Sequence, residues 1–232
     1  MLKIEKTVLP SPEQWEIAIE GMRNPLNSWE KSDSYITHIE DQQTLETANY
    51  QFMLGEADEA LMKRLAAAGS THAKYRRMLP VWVTLTAPLY WWKEFETYRT
   101  GVAPNPFDIE MNSCSTMHKI HAKPFELSDF SHEQLFGMSE DVLNKTIARL
   151  NECRESFVYL TSINKGGKAC WDNMIQLLPS SYNQKRTLML NYEVLAAIYR
   201  DRKNHKLGEW HTFCEWIESL PHSDIITGDS NG

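Results

Sequence analysis

The chain is poor in the features that announce a function by themselves. It has four cysteines, Cys114, Cys153, Cys170 and Cys214. None of them forms a C-x2-C pair, so the common zinc-binding spacings are missing. No apolar run approaches the roughly 18 residues that a membrane-spanning helix needs. The stretch MLKIEKTVLP has no apolar core of a secretory leader, so cytoplasmic residence with reduced thiols is the expectation. The net charge of −7 gives no basic footprint for general binding to nucleic acid, although one local basic pocket for a phosphate stays compatible with it. Gly166-Gly167 stands without Walker or dinucleotide-loop spacing and reads as a plain loop. His118 and His121 are three apart but lack a carboxylate companion, so no metal is expected. Ser115 has no G-x-S-x-G elbow around it, which argues against a hydrolytic nucleophile. No repeat, low-complexity run or interdomain linker is visible.

What is present fits a folded chain of one domain over residues 1–222, with a polar tail over 223–232. The 232 residues are 42% hydrophobic, enough to bury a sizeable core. Eight Trp and nine Tyr are many for this length, and they suit a core, a subunit interface or a stacked ring ligand. Ser11-Pro12-Glu13-Gln14 is a capping box with proline at the first helical position, so a helix is expected over 12–23. Residues 35–39 read as a short strand. Helices are expected over 41–54 and 56–68, the second stopped by Gly69. Residues 78–88 alternate as a central strand should. Further helices are expected over 89–100, 112–122, 139–157, 168–177, 187–204 and 207–220, with a loose tail beyond Pro221. The fold class is therefore α/β and mostly helical, with a small central sheet flanked by helices.

Residues 91–120, WWKEFETYRTGVAPNPFDIEMNSCSTMHKI, join an aromatic, helix-like opening to a Pro/Gly break and then to a cluster of small polar residues. With two other segments they carry a resemblance to the flavin-dependent thymidylate synthases, the ThyX family. The first of these other segments is Gly69-Ser70-Thr71-His72-Ala73-Lys74-Tyr75-Arg76. It resembles the family's G-H-x-S-x-x-E-H turn, with Tyr75-Arg76 in place of Glu-His. In the long stretch, Lys93 to Arg99 is similar to R-Q-W-x-R-H-R, and Asn112 to His118 to S-x-N-E-x-S-x-R-Y. Arg99, Asn112 and Ser115 match, Thr97 replaces the family's first R-H-R arginine, and Met117-His118 replaces Arg-Tyr. Residues Gly101–Met111 exceed the family's spacing. Near the end, Asn191 to Arg202 resembles N-L-R-x-L-L-H-F-L-x-L-R, and Glu209 to Phe213 resembles Q-W-E-I-R. Asn191, Leu195, Arg202 and Trp210 match, whereas Glu193 and Phe213 stand where the family has arginine and Ala197 where it has histidine.

The resemblance implies a ThyX-like homotetramer holding FAD and a pyrimidine nucleotide, with NADPH and a folate one-carbon donor where it turns over. The implied reaction is C5 methylation of dUMP or a related substrate, and a bacterium or phage is the implied setting. It assigns Lys93, Tyr98, Arg99 and Asn191 to the flavin, and Asn112, Ser115, His118 and Lys119 to the nucleotide. It assigns no catalytic residue. Arginine suits oxyanions because its planar fork binds them bidentately and keeps its charge. Glu193 beside a phosphate would reverse an interaction of about 4 kcal/mol per unit charge at an effective dielectric near 20. Lys74, Lys119, Arg76, Arg77, Arg200 and Arg202 are the cations available to compensate. The replaced arginines keep a second reading open, a nucleotide- or flavin-binding or interaction protein without turnover. A third, a structural helical assembly, rests on the aromatic surplus. Trp91 and Trp92 suit either a flavin cover or core and interface packing.

Overall fold

In the computed structural model, which describes residues 1–39, 49–100 and 109–228, the chain folds as a mostly helical α/β protein with a small sheet. In chain order the elements are β1 (Lys3–Val8), α1 (Pro12–Arg23), β2 (Tyr35–Ile39), β3 (Asn49–Met53), α2 (Glu56–Ala67), β4 (Pro80–Pro88), α3 (Leu89–Phe95), α4 (Thr97–Thr100) and β5 (Glu110–Ser113). Then come α5 (Met138–Ser162), α6 (Lys168–Leu177), β6 (Asn183–Asn191), α7 (Tyr192–Arg202), α8 (Gly208–Glu218) and α9 (Asp224–Thr227). The main sheet has the order β1-β4-β6-β5, and β2 pairs with β3 as an antiparallel hairpin with Thr37 opposite Gln51. No helix among the described residues is long and apolar enough to cross a membrane.

Contacts divide the chain into two compact units. The first comprises Met1–Glu5, Thr84–Glu96 and Met111–Thr187, the second Lys6–Val83, Thr97–Glu110 and Leu188–Gly232. In the first unit, α5 packs on α6 around a core that includes Phe125, Phe130, Leu143, Leu150, Cys153 and Met174. Asn151 on α5 clamps the preceding loop: its Oδ1 accepts from Phe125 N at 2.8 Å and its Nδ2 donates to Phe125 O at 2.9 Å. The two bonds satisfy a loop backbone that burial would otherwise leave without water.

In the second unit, the capping box at Ser11 is formed, with Gln14 Oε1 accepting from Ser11 N and Ser11 Oγ from Gln14 N. The helix α1 places Trp15, Ile19 and Met22 inward. Trp15 stacks on Phe52 at 5.5 Å and meets Tyr192 edge-on. The start of α2 is fixed by Asp33, whose carboxylate accepts from Ala57 N and Asp58 N. A Cβ on Gly55 would lie 2.1 Å from that carboxylate, so no other residue fits there. At the other end of α2, Gly69 adopts φ of 100°, a left-handed conformation that glycine enters at little cost.

Three expected helices are corrected. The helix expected over 41–54 is strand over 49–53, because Phe52 turns inward to Trp15 between the exposed Gln51 and Met53, an alternation of period two; residues 40–48 lie outside the described residues. The helix expected over 187–204 starts only at Tyr192. Residues 183–191 form β6, where buried Leu188 and Leu190 flank half-buried Met189, so sheet pairing overrides the helix preference of Leu and Met. The helix expected over 112–122 is the end of β5 followed by turns. The expected loose tail also contains structure, since Ile225 and Ile226 of α9 are buried.

Candidate functional site

In the first unit, the segment after β5 is pinned to β6. Cys114 N donates to Lys185 O at 2.9 Å, and the buried Gln184 donates from Nε2 to Cys114 O at 2.7 Å. The chain then turns. Ser115 Oγ accepts from Met117 N, and Trp171 Nε1 donates to Met117 O at 3.1 Å. Asn112, Ser115, His118 and Lys119 are all exposed along this stretch. Ser115 is a turn-forming hydroxyl. The backbone anchors thus hold in place a segment that presents an amide, a hydroxyl, an imidazole and an ammonium to solvent. His121 turns the other way, with its ring 4.6 Å from Phe157, so the two histidines do not converge. Among the described residues, no group of three His, Cys, Asp or Glu side chains is placed to hold a metal.

Lys93 is exposed on the last turn of α3. Trp91 and Trp92 are completely buried, and Trp92 Nε1 donates to Gln184 O at 2.9 Å. The sequence reading passed over Arg186. Its guanidinium lies 4.4 Å above the Trp92 ring, bonds Glu96 at 2.5 Å and donates from Nε to Gln184 Oε1 at 2.9 Å. Stacking on an aromatic face and pairing with a carboxylate together orient this cation. The position of Arg186 depends on β6, whose residues 187–191 the sequence reads as the start of a helix.

In the second unit, Tyr98 is buried and its hydroxyl accepts from Arg202 Nε at 2.7 Å. The Arg202 guanidinium lies 4.7 Å from the Trp210 ring and 5.4 Å from that of Tyr98. Burial pushes the Tyr98 phenol above its ordinary range, while Arg202 opposes the shift. Arg202 and Trp210, both of which match the family motifs, therefore build a stack with Tyr98. Asn191 is a buried N-cap of α7, its Oδ1 accepting from Val194 N at 3.0 Å, not a polar residue on an exposed face. Arg99 lies on α4; its side chain lies outside the described residues.

The positions at which this chain departs from the family motifs are engaged by other residues. Glu193 pairs with Arg76 at 3.2 Å, with side chains only 12% and 9% exposed. Its charge is therefore matched by a cation from a segment 117 residues away. Tyr75, where the family has Glu, donates its hydroxyl to Met62 O at 2.9 Å, and burial pushes its pKa up to about 12. Phe213 is completely buried beside Trp210 and Trp216. Of the side chains assigned to FAD, the exposed ammonium of Lys93 suits an anionic phosphate group, whereas the hydroxyl of Tyr98 is engaged by Arg202 and the carbonyl oxygen of Asn191 by its cap.

No protein-family model matches the chain, and no curated protein matches it in sequence. Its fold is similar to solved structures. One is thymidylate synthase X from Helicobacter pylori with FAD and dUMP, at a TM-score of 0.60 and 16% identity, covering 98% of this chain and 96% of that one. A second structure of the Helicobacter pylori flavin-dependent enzyme with FAD and dUMP gives 0.59 and 15%, covering 98% and 97%. The UMP/dUMP methylase PolB from Streptomyces cacaoi, bound with 5-Br dUMP, gives 0.53 and 10%, covering 96% and 92%. The chain thus has a ThyX-like fold.

Proposed function

We propose that this protein is a divergent ThyX-like flavoprotein that methylates a pyrimidine nucleotide at C5, converting dUMP to dTMP or carrying out a related reaction. The reading is carried by the end-to-end likeness to structures that hold FAD with dUMP, or a dUMP analogue. In this reading Lys119 and His118 meet the charge of the nucleotide, and Asn112 and Ser115 supply neutral hydrogen bonds. Lys93, Asn191 and Arg99 serve the flavin, and Tyr98 acts indirectly by fixing Arg202. When bound, reduced FAD supplies the hydride that completes the new methyl group; NADPH and a folate one-carbon donor are its co-reactants. A homotetramer in a cytoplasmic compartment belongs to the same reading.

One observation favours a second reading, nucleotide or flavin binding without turnover. Two positions where the family has arginine hold an ion-paired Glu193 and a core Phe213. Release of tritium from C5-labelled dUMP, measured with FAD, NADPH and methylenetetrahydrofolate, separates the two. FAD-dependent release is the expected result. Nucleotide binding without release supports the second reading, and absence of both binding and release contradicts both.

A further inference from the structure

The second unit holds a cavity of about 430 Å3 between α1 and the β2–β3 hairpin, and none of its lining residues is one assigned above to the flavin or the nucleotide. The volume falls in the usual range for small-molecule pockets, about 300–1,000 Å3. Its apolar lining is Ile19 of α1 with Ile36 and Phe52, which stand opposite each other across the hairpin and are half-buried. Two aromatic rings complete it, Trp29 and Tyr35, which are 49% and 58% exposed. The Trp29 ring is held by its edge, since its Nε1 donates to Asn24 Oδ1 at 2.7 Å. A ring fixed in this way leaves its faces as the available surface, and an aromatic face attracts positive charge.

The charges on the wall decide which ligand it suits. Glu16 and Glu20 lie one helical turn apart on the face of α1 that carries Ile19. Both are exposed, and neither takes part in an ion pair among the described residues. Arg23, the next residue on that face, is engaged: its Nε pairs with Asp58 at 2.6 Å and its Nη1 donates to Ser28 O and Oγ. Ser32 and Ser34 give their hydroxyl protons to Asp58, so they keep only lone pairs. The lining therefore offers carboxylates, hydroxyl oxygens and ring faces, and no uncommitted cation. An anion such as a nucleotide meets repulsion here, whereas an ammonium group meets opposite charge and aromatic faces together. Exposed carboxylates alone hold a hydrated ion weakly, so the rings and the apolar lining select an organic cation over an inorganic one. We infer that this cavity binds an organic ammonium ion with an apolar body. Glu16 and Glu20 meet its charge, Trp29 and Tyr35 pack on it, and Ile19, Ile36 and Phe52 take its body.

The test is calorimetric titration of the full chain, without FAD or nucleotide, with phenethylamine, phenethyl alcohol, phenylpropionate and ammonium chloride. Leaving FAD out keeps a failure here separate from a failure of the flavin reading. Phenethylamine is expected to saturate one site, with the alcohol and the ammonium ion at least about tenfold weaker and phenylpropionate not binding. The double variant Glu16→Gln with Glu20→Gln is expected to weaken phenethylamine by about tenfold, and Trp29→Leu by about threefold or more. The two glutamates are exposed, so the glutamine variant remains informative if Trp29→Leu fails to fold. Equal affinity for the amine and the alcohol identifies an apolar cavity indifferent to charge and overturns the proposal. So does equal affinity for the ammonium ion, absence of phenethylamine binding to the native chain, or unchanged binding in either folded variant.

Discussion

Asp58→Ala is expected to lower the free energy of unfolding by about 3–5 kcal/mol, the usual cost of removing one partner from a buried ion pair. Asp58 is fully buried in the first turn of α2, and its Oδ1 accepts from Arg23 Nε at 2.6 Å. Its Oδ2 accepts from the hydroxyls of Ser32 and Ser34 and from the backbone N–H groups of Asp33 and Ser34. Without the carboxylate, those donors and the Nε of Arg23, a residue 3% exposed, lose their acceptor in the interior, and Arg23 keeps only the bonds from Nη1 to Ser28 among the described residues. Burial alone would raise the Asp58 pKa; the hydrogen bonds from Ser34, Ser32 and Arg23 outweigh it and hold the group below the ordinary aspartate range. The sign follows. The stabilisation is fully present above the unfolded-state value, about 3.9, and is lost as pH falls through the lower folded value. Urea unfolding at pH 7 measures the loss, which shrinks only in strong acid. Adding Arg23→Met to Asp58→Ala is expected to recover part of it, because the stranded charge goes too. A loss under about 1 kcal/mol at pH 7 would place Asp58 among weakly coupled surface carboxylates.

Glu193→Arg is expected to destabilise the chain by at least about 3 kcal/mol rather than to create a nucleotide site. The substitution restores the residue type of the family motif, but it sets a second guanidinium against Arg76 where the native pair stands at 3.2 Å. A close attraction in a mostly buried place becomes a repulsion, of order 4 kcal/mol at an effective dielectric near 20. The swapped variant, Arg76→Glu with Glu193→Arg, is expected to recover much of the stability. Unfolding midpoints of the single and double variants check this. A stable Glu193→Arg single variant would show that the Arg76–Glu193 contact contributes little.

How far the sequence was legible depended on whether the signal was local. The helix α1 was readable because Ser11, Pro12 and Gln14 write the cap within four residues. The stop at Gly69 was readable for the same reason, since φ of 100° favours glycine. Strand β6 was not, because its Leu188-Met189-Leu190 is good helix sequence and becomes strand through its neighbours in the sheet. That miss also hid Arg186. The polar segment Asn112 to Lys119 was found as one stretch, and the structure presents all four of its candidate residues on the surface of the first unit. Glu193 was recognised as a reversed charge, but its answer, Arg76, lies 117 residues away, and no local pattern joins the two. Tyr98 was chosen for chemical likeness to the family residue; its burial against Arg202 and Trp210 is a tertiary fact.

The central claim, a flavin-binding scaffold of the ThyX type, meets its most direct test in a titration of the purified full chain with FAD, followed by its visible absorption spectrum. Saturable binding, with a shifted and resolved flavin band that stays with the protein through gel filtration, is the predicted result. A colourless protein that leaves the FAD spectrum unchanged at millimolar excess would contradict it.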